Sequence, residues 1–249
     1  MTMTTLAGEV EIYLAGTGTA IINWGDGSKS QKRKLNPFDW REKLGKYKKR
    51  YSDNSAHTIT ITGGNITVVN CGRNQLTALD VSQITALEDL DCRVNQLTTL
   101  DLSRNTALKY LGCVSNKLTS LDVSKNTALE VLVCIQNHIT ALDVSKNIAL
   151  RELHCFRNFQ LASLNVSNNP SLKLLGCFEN KLTELDVSSN IALEWLSCFD
   201  NQLSAAALNA LLESLHDNDV SDRKVFIFNN PGTEDCDTSI AEKKGWKMK

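Results

Sequence analysis

Cysteine is the residue type with the widest chemistry in this 249-residue chain, which contains eight cysteines. Suitably spaced thiols bind zinc, exchange electrons or form disulfides. Seven of the cysteines recur at regular intervals: Cys71, Cys92, Cys113, Cys134, Cys155, Cys177 and Cys198. No Cys-x-x-Cys pair occurs, and stacked thiols that all point the same way fit the disulfide dihedral poorly. We therefore predict that the seven are reduced and buried, and that Cys236, outside the series, is the more reactive thiol.

Histidine is the next residue type that could do chemistry. The four histidines, His57, His138, His154 and His216, fall in different parts of the chain, which disfavours a metal cluster or a nucleophile–base pair. His154 stands beside Glu152 on an outward strand position, where a polar patch or a partner contact is favoured over catalysis. The sequence contains no glycine-rich phosphate-binding loop, and Gly63-Gly64 is not followed by the lysine and serine that such a loop requires. The sequence thus predicts no catalytic residue, metal site or cofactor, and a protein that is not an enzyme.

The cysteine spacing identifies the elements that position these side chains. Successive cysteines are 21 residues apart, except for 22 residues between Cys155 and Cys177. Around each lies one frame, such as Leu129-x-x-Leu132-x-Cys134-x-x-Asn137-x-Ile139. A fixed period in this range indicates a solenoid, and the frame is the leucine-rich-repeat pattern with cysteine in one leucine position. Each coil is predicted to contain a short strand, at 132–134 in this example, with its leucine and cysteine pointing inward. The asparagine that follows is expected to form hydrogen bonds with backbone groups where the chain bends away from the strand.

The rest of the chain divides around these coils. We predict an α/β-type repeat solenoid, mostly β, with a β-rich N-terminal cap at 1–65, seven 21-residue coils at 66–203 and a mixed α/β C-terminal cap at 204–249. Strands are expected at 10–14, 20–23, 58–62 and 225–228, and an amphipathic helix around 208–215 behind Ser204 as the N-cap. The extra residue of the fifth coil, near Phe159, should bulge outward.

The same frame carries a family resemblance. From about residue 66 to 203, the sequence resembles the cysteine-bearing leucine-rich-repeat proteins of Bacteroidetes and, more distantly, the listerial internalins. This resemblance implies a binding module that is exported or attached to the cell surface. The turn Trp24-Gly25-Asp26-Gly27 and the later strand resemble a reduced PKD-like β-sandwich, but the segment is too short for a complete one, so we treat it as a cap and keep the sandwich as the alternative.

Charge and hydropathy restrict the classes of partner that the chain can bind. The formal net charge is −1, from 27 Lys and Arg against 28 Asp and Glu. The overall charge therefore does not favour binding to nucleic acid. Residues 29–50 hold ten basic and two acidic residues, and a solvated insertion is favoured over an anion-binding patch. No apolar stretch is long enough to span a membrane, and residues 1–5 lack the features of a signal peptide. The extracellular or surface location therefore comes from the resemblance alone, since a removed leader leaves no trace.

Outward strand positions are where repeat proteins usually bind. Two columns of these positions turn from polar to apolar along the chain, and we predict partner binding at Tyr110, Val131, Ile135, Phe156, Leu174, Phe178, Trp195 and Phe199. Large exposed apolar patches usually mark interfaces, so the sequence predicts a protein partner. The alternatives are a glycan stacked on the aromatic rings, a ladder that only stiffens the solenoid, and a stripe covered by the chain's own tail.

Overall fold

The computed structural model describes residues 1–37, 44–53, 55–218 and 222–249. The described residues of the N-terminal part form eight strands: β1 (Thr2–Thr5), β2 (Glu9–Thr17), β3 (Thr19–Asn23), β4 (Gln31–Lys34), β5 (Gly45–Arg50), β6 (His57–Thr62), β7 (Asn65–Asn70) and β8 (Leu76–Asp80). The predicted strands at 10–14, 20–23 and 58–62 are confirmed as parts of β2, β3 and β6. Strands β1, β4 and β5 escaped prediction because their threonine and lysine side chains show no strong apolar alternation.

These strands form two sheets. One sheet has the antiparallel order β4-β3-β6-β1-β8, and the other begins with β5 and β2 and continues through β7 into the solenoid. Alternate residues such as Ile12, Ile22 and Ile59 are fully buried between the sheets. Gly25 has a φ of +75°, and a Cβ there would lie 2.3 Å from the carbonyl oxygen of Thr58, so this turn requires glycine.

Six short strands build the central coils: β9 (Asp89–Asp91), β10 (Tyr110–Gly112), β11 (Val131–Val133), β12 (Glu152–His154), β13 (Leu174–Gly176) and β14 (Trp195–Ser197). They pair in parallel and in register, and β7 pairs with β9 to start the stack. The central leucine of each strand and the cysteine that follows are fully buried. The leucine-rich-repeat solenoid is therefore confirmed, with each strand beginning one residue earlier than predicted.

Asparagine fixes the bend after each strand. The residue before it adopts a left-handed conformation, as at Gln136 with φ 55°, and this turns the chain away from the sheet. Nδ2 of Asn137 donates to the carbonyl oxygens of Cys113 and Cys134 at 3.0 and 3.1 Å, while its Oδ1 accepts the backbone N–H of Leu118 at 3.1 Å. One side chain therefore satisfies backbone groups of two coils.

The extra residue of the fifth coil is accommodated outside the stack, as predicted. Phe159 is 54% exposed, and the N–H of Leu161 donates to the carbonyl oxygen of Asn158 at 2.7 Å in a tight turn. Asn158 keeps its place in the asparagine series. The bulge therefore leaves the register of the sheet unchanged.

The C-terminal part comprises α1 (Ala205–Ser214), β15 (Lys224–Phe226), α2 (Ser239–Lys243) and β16 (Lys247–Met248). Ser204 caps α1 as predicted, with its side chain accepting the N–H of Ala207 at 3.2 Å. Strand β15 pairs in parallel with β14, and β16 pairs in parallel with β15. The segment 204–249 therefore adds two further strands to the solenoid sheet.

Candidate functional site

The outward residues after the last three repeat cysteines form a ladder of stacked rings. Phe156 and Phe178 have ring centroids 3.9 Å apart with planes inclined by 16°, and Phe178 and Phe199 are 4.2 Å apart at 15°. Phe228 extends the ladder, 4.2 Å from Phe199 at 14°. The stacking of the coils places these side chains one above another on the outward side of the sheet, at the spacing of neighbouring strands.

A second aromatic group lies beside the ladder. Trp195 is 5.6 Å from Phe226 and 6.3 Å from His154, and His154 approaches the edge of Phe156 at 6.4 Å. Gly176 makes this possible, because a Cβ at that position would lie 2.9 Å from Nδ1 of His154 and 3.4 Å from the Trp195 ring. We call Phe156, Phe178, Trp195, Phe199, Phe226 and Phe228, together with His154, the aromatic surface.

The structure places the eight predicted partner-binding residues in two groups. Phe156, Phe178, Trp195 and Phe199 belong to the aromatic surface, Leu174 pairs with Trp195 in the sheet register, and Ile135 precedes Phe156 in the ladder column. Tyr110 and Val131 instead line a cavity between the N-terminal cap and the first coils. The predicted stripe is therefore two neighbouring regions on the outward side of one sheet.

Sequence reasoning missed Phe226 and Phe228. They flank Ile227, which occupies the cysteine position of the repeat but follows Cys198 by 29 residues instead of 21. These phenylalanines therefore fall outside the 21-residue period. A signal was present, since Val225-x-Ile227-Phe228-x-Asn230 repeats the frame Leu196-x-Cys198-Phe199-x-Asn201. Leu196 and Val225 are indeed register partners.

His154 is the titratable group within the aromatic surface. Burial among the rings lowers the pKa of its imidazole, and the carboxylate of Glu152, with an oxygen 3.9 Å from Nε2, opposes this shift. No hydrogen bond joins the imidazole to any described residue. The side chain is 21% exposed, so the ring presents a polar edge in a mainly apolar surface.

Charged residues flank this surface as pairs that link neighbouring coils. Lys173 contacts Glu194 at 2.8 Å, and Arg157 contacts Glu179 at 3.0 Å. These side chains are largely exposed, and such pairs contribute little stability. They give the aromatic surface a polar rim with nearly balanced charge.

The seven repeat cysteines have no access to solvent. All eight cysteines lie within the described ranges and are free thiols, and the seven of the repeat are fully buried. Burial raises the pKa of Cys92, Cys134 and Cys198 to about 12. Within the described ranges, no group of three or more His, Cys, Asp or Glu residues is placed to hold a metal ion.

The basic residues of segment 29–50 lie mostly on two strands. Strand β4 carries Lys32, Arg33 and Lys34, whereas Lys46 and Lys48 of β5 pair with Glu11 and Glu9 at 2.7 Å. Residues 38–43 lie outside the described residues. The basic residues around them are therefore built into the edges of the two cap sheets, where lysine also discourages edge-to-edge association.

Comparisons with protein-family models and with curated protein sequences return no match. Among solved structures, the functional domain of InlJ from Listeria monocytogenes, which includes a cysteine ladder, is 34% identical, with a TM-score of 0.51 over 72% of this chain and 47% of that chain. The internalin InlF from L. monocytogenes is 25% identical, with a TM-score of 0.57 over 66% of this chain and 48% of that one. Internalin C2 from the same organism is 19% identical, with a TM-score of 0.60 over 74% and 81% of the two chains, and it shows the fold alone.

These similarities establish the fold as a leucine-rich-repeat solenoid of the internalin type. The chain spans about half the length of the InlJ and InlF chains that it matches. Like the InlJ domain, it stacks cysteines in a ladder. Among the residues that the structure describes, no helix is both long and apolar enough to cross a membrane.

Proposed function

We propose that this chain is a non-enzymatic binding module that holds a protein partner on its aromatic surface. The observation that carries the proposal is the run of four stacked phenylalanines, with Trp195 and Phe226 beside it, on the outward side of the sheet. The internalin-type neighbours support a repeat module of this kind.

The physical argument starts from what the solenoid needs. Inward leucines and cysteines supply the core, so outward strand positions can be polar, as Glu152 of β12 illustrates with a side chain that is 42% exposed. Aromatic residues at the centre of an interface commonly dominate its binding energy. Six large rings on one side of a sheet, bordered by charged pairs, have the arrangement of an apolar interface centre with a polar rim.

Ring geometry favours a protein over a glycan. Sugars stack on open aromatic faces, but both faces of Phe178 are covered, by Phe156 at 3.9 Å and Phe199 at 4.2 Å. Phe199 is likewise enclosed between Phe178 and Phe228. The ladder therefore offers ring edges, which suit the aliphatic side chains of a protein. Glycan binding is the less supported alternative.

We also infer that the module acts outside a bacterial cell or on its surface, as the resemblance to internalins implies. The PKD-like interpretation of residues 1–65 remains a prediction. It is supported by the two-sheet arrangement of the cap and by the Trp24-Gly25-Asp26-Gly27 turn before β6.

The test compares two double variants. Trp195→Ser with Phe228→Ser removes two rings, and Phe228, at the end of the ladder and 38% exposed, is the least costly ring to remove. The matched control, Ile148→Ser with Ile191→Ser, removes side chains that are 62% and 57% exposed and lie outside the strands.

A partner bound by the wild type and the control should bind the ring variant more weakly by about 2 kcal/mol or more per hot-spot residue. Calorimetry would measure the affinity, and circular dichroism would verify that both variants fold. If the ring variant binds every partner normally, the aromatic surface is not the binding site. Binding on a glycan array that depends on Trp195 would favour the alternative.

A further inference from the structure

A cavity of about 580 Å³ lies where the N-terminal cap meets the concave face. Gly16, Thr17 and Pro37 of the cap form one side, and Val68, Tyr110 and Val131 form much of the other. Its size falls within the usual range for ligand pockets, roughly 300–1,000 Å³. The cavity is distinct from the aromatic surface, which begins at the fifth coil.

Asp89 brings a carboxylate without a direct ion-pair partner among the described residues into this cavity. The other carboxylates around it have partners: Glu88 contacts Lys109 at 2.7 Å, Glu130 contacts Arg151 at 3.8 Å, and Asp91 accepts Nε of Arg93 at 2.7 Å. Within the described part of the chain, no cation pairs with Asp89. The half-buried carboxylate stands between Val68 and Tyr110, its register partners on the adjacent strands.

This environment makes the charge costly to maintain. Burial raises the pKa of Asp89 to about 6; Asp91 on the same strand adds to the shift, and the charge of Arg93 opposes it. Near pH 7 the group is ionised but poorly solvated, so a cation brought against it would be bound favourably. The lining also contains Glu88 and Lys109, which pair with each other, and Glu130, which pairs with Arg151. Asp89 is thus the one lining carboxylate without an ion-pair partner among the described residues, and it suits an organic cation, whereas calcium requires six or more oxygen ligands.

We infer that this cavity binds an ammonium or guanidinium group on a short aliphatic stem. Asp89 is the counter-ion, and Val68, Val131 and the ring of Tyr110 contact the stem. The cation could belong to a lysine or arginine side chain of a protein or to a free small amine, which share this chemistry. The inference goes beyond the proposed function, because none of these residues belongs to the aromatic surface.

The experiment titrates the protein with n-butylguanidinium, n-butylammonium or the neutral n-butanol and detects binding by protein NMR at pH 7.5. Both cations should shift the amide signals of Tyr110 and Val131, and n-butanol should bind at least tenfold more weakly. Asp89→Asn should weaken the cations at least tenfold. Asp200→Asn, which changes a half-buried carboxylate further along the solenoid, should leave them unchanged.

The pH dependence supplies a second readout. Asp89 with a pKa of about 6 is almost fully ionised at pH 7.5 and about one-tenth ionised at pH 5, so the cations should bind roughly tenfold more weakly at pH 5. The charged and titratable groups facing Asp89 are those of the pairs Glu88–Lys109, Asp91–Arg93 and Glu130–Arg151, together with Tyr110. Asp89→Asn should remove the dependence.

The same titration distinguishes the two sources of the cation. Binding of a blocked Ala-Arg-Ala or Ala-Lys-Ala peptide as tight as that of the alkyl cations indicates a protein side chain. Binding of the alkyl cations alone indicates a small amine. Equal affinity for n-butanol and the cations, undiminished binding to Asp89→Asn, or no binding of any cation would overturn the assignment. None of these results bears on the aromatic surface, so the two proposals fail separately.

Discussion

Oδ1 of Asn230 accepts a hydrogen bond from the backbone N–H of Leu203 at 3.2 Å. Its Nδ2 donates to the carbonyl oxygens of Cys198 and Ile227 at 3.1 and 2.8 Å. Asn137 makes the same three kinds of contact in the centre of the solenoid. Asn230 therefore continues the asparagine series into an eighth coil, and this coil holds Phe228 at the end of the aromatic ladder.

Replacing Asn230 with alanine should cost about 1 to 3 kcal/mol of folding free energy, because buried backbone groups lose their partners. Urea unfolding followed by circular dichroism would measure the loss. Lys125→Ala, at an exposed position of a central coil, is the control and should change stability by less than about 0.5 kcal/mol. Equal midpoints for the two variants would contradict the role of Asn230.

How far the sequence predicts the structure depends on the repeat. Leucine, cysteine and asparagine recur every 21 residues, so their inward positions could be predicted without any tertiary information. The eighth coil was hidden because α1 lies between Cys198 and Ile227, and because isoleucine replaces the repeated cysteine.

The candidate sites show the same limit. Four rings of the aromatic surface follow from the outward columns of the repeat. The cavity at Asp89 does not, because it forms only where Gly16 and Pro37 of the cap approach Val68 and Tyr110. Strands β4 and β5 were equally hidden, since their pairing with β3 and β2 is a tertiary property.

Thiol reactivity should separate Cys236 from the other cysteines. The repeat thiols are fully buried, whereas Cys236 is partly exposed, so native protein at pH 8 should show at most one fast-reacting thiol with a chromogenic disulfide. Cys236→Ser should abolish that phase, and guanidinium should release all of the remaining thiols. Six or more fast thiols in the native protein, or a mass showing several disulfides, would refute the buried ladder.

The imidazole of His154 should titrate below the ordinary histidine value of about 6.5, because burial among the rings disfavours its charged form. The unfolded chain then binds the proton more readily than the folded chain. The contribution of His154 to stability should therefore fall as the pH drops from about 6.5 through the folded pKa. Asp89, whose pKa is raised to about 6, acts in the opposite direction, so the effect of His154 is the difference between the wild type and His154→Gln. NMR titration of the imidazole would measure the pKa, and urea unfolding from pH 7.5 to 5 would measure the stability.

Two variants check the cause of this behaviour. Glu152→Gln should lower the pKa of His154 further, because the carboxylate of Glu152 opposes the effect of burial. His154→Gln should reduce the loss of stability in acid. A pKa of His154 at or above 6.5 would show that the ring is better solvated than its position among Phe156 and Trp195 indicates.

The stacked ladder should appear as coupling between neighbouring rings. In a double-mutant cycle, Phe178→Ala and Phe199→Ala should couple by about 0.5 to 1.5 kcal/mol, the amount that aromatic pairs typically contribute beyond buried area. Phe156 and Phe228 occupy the two ends of the ladder with two rings between them, so their alanine variants should be additive within about 0.5 kcal/mol. Urea unfolding of the single and double variants measures both cycles. Additivity in the first cycle would mean that the rings pack independently against the sheet, and the argument from covered ring faces against glycan binding would then lose its basis.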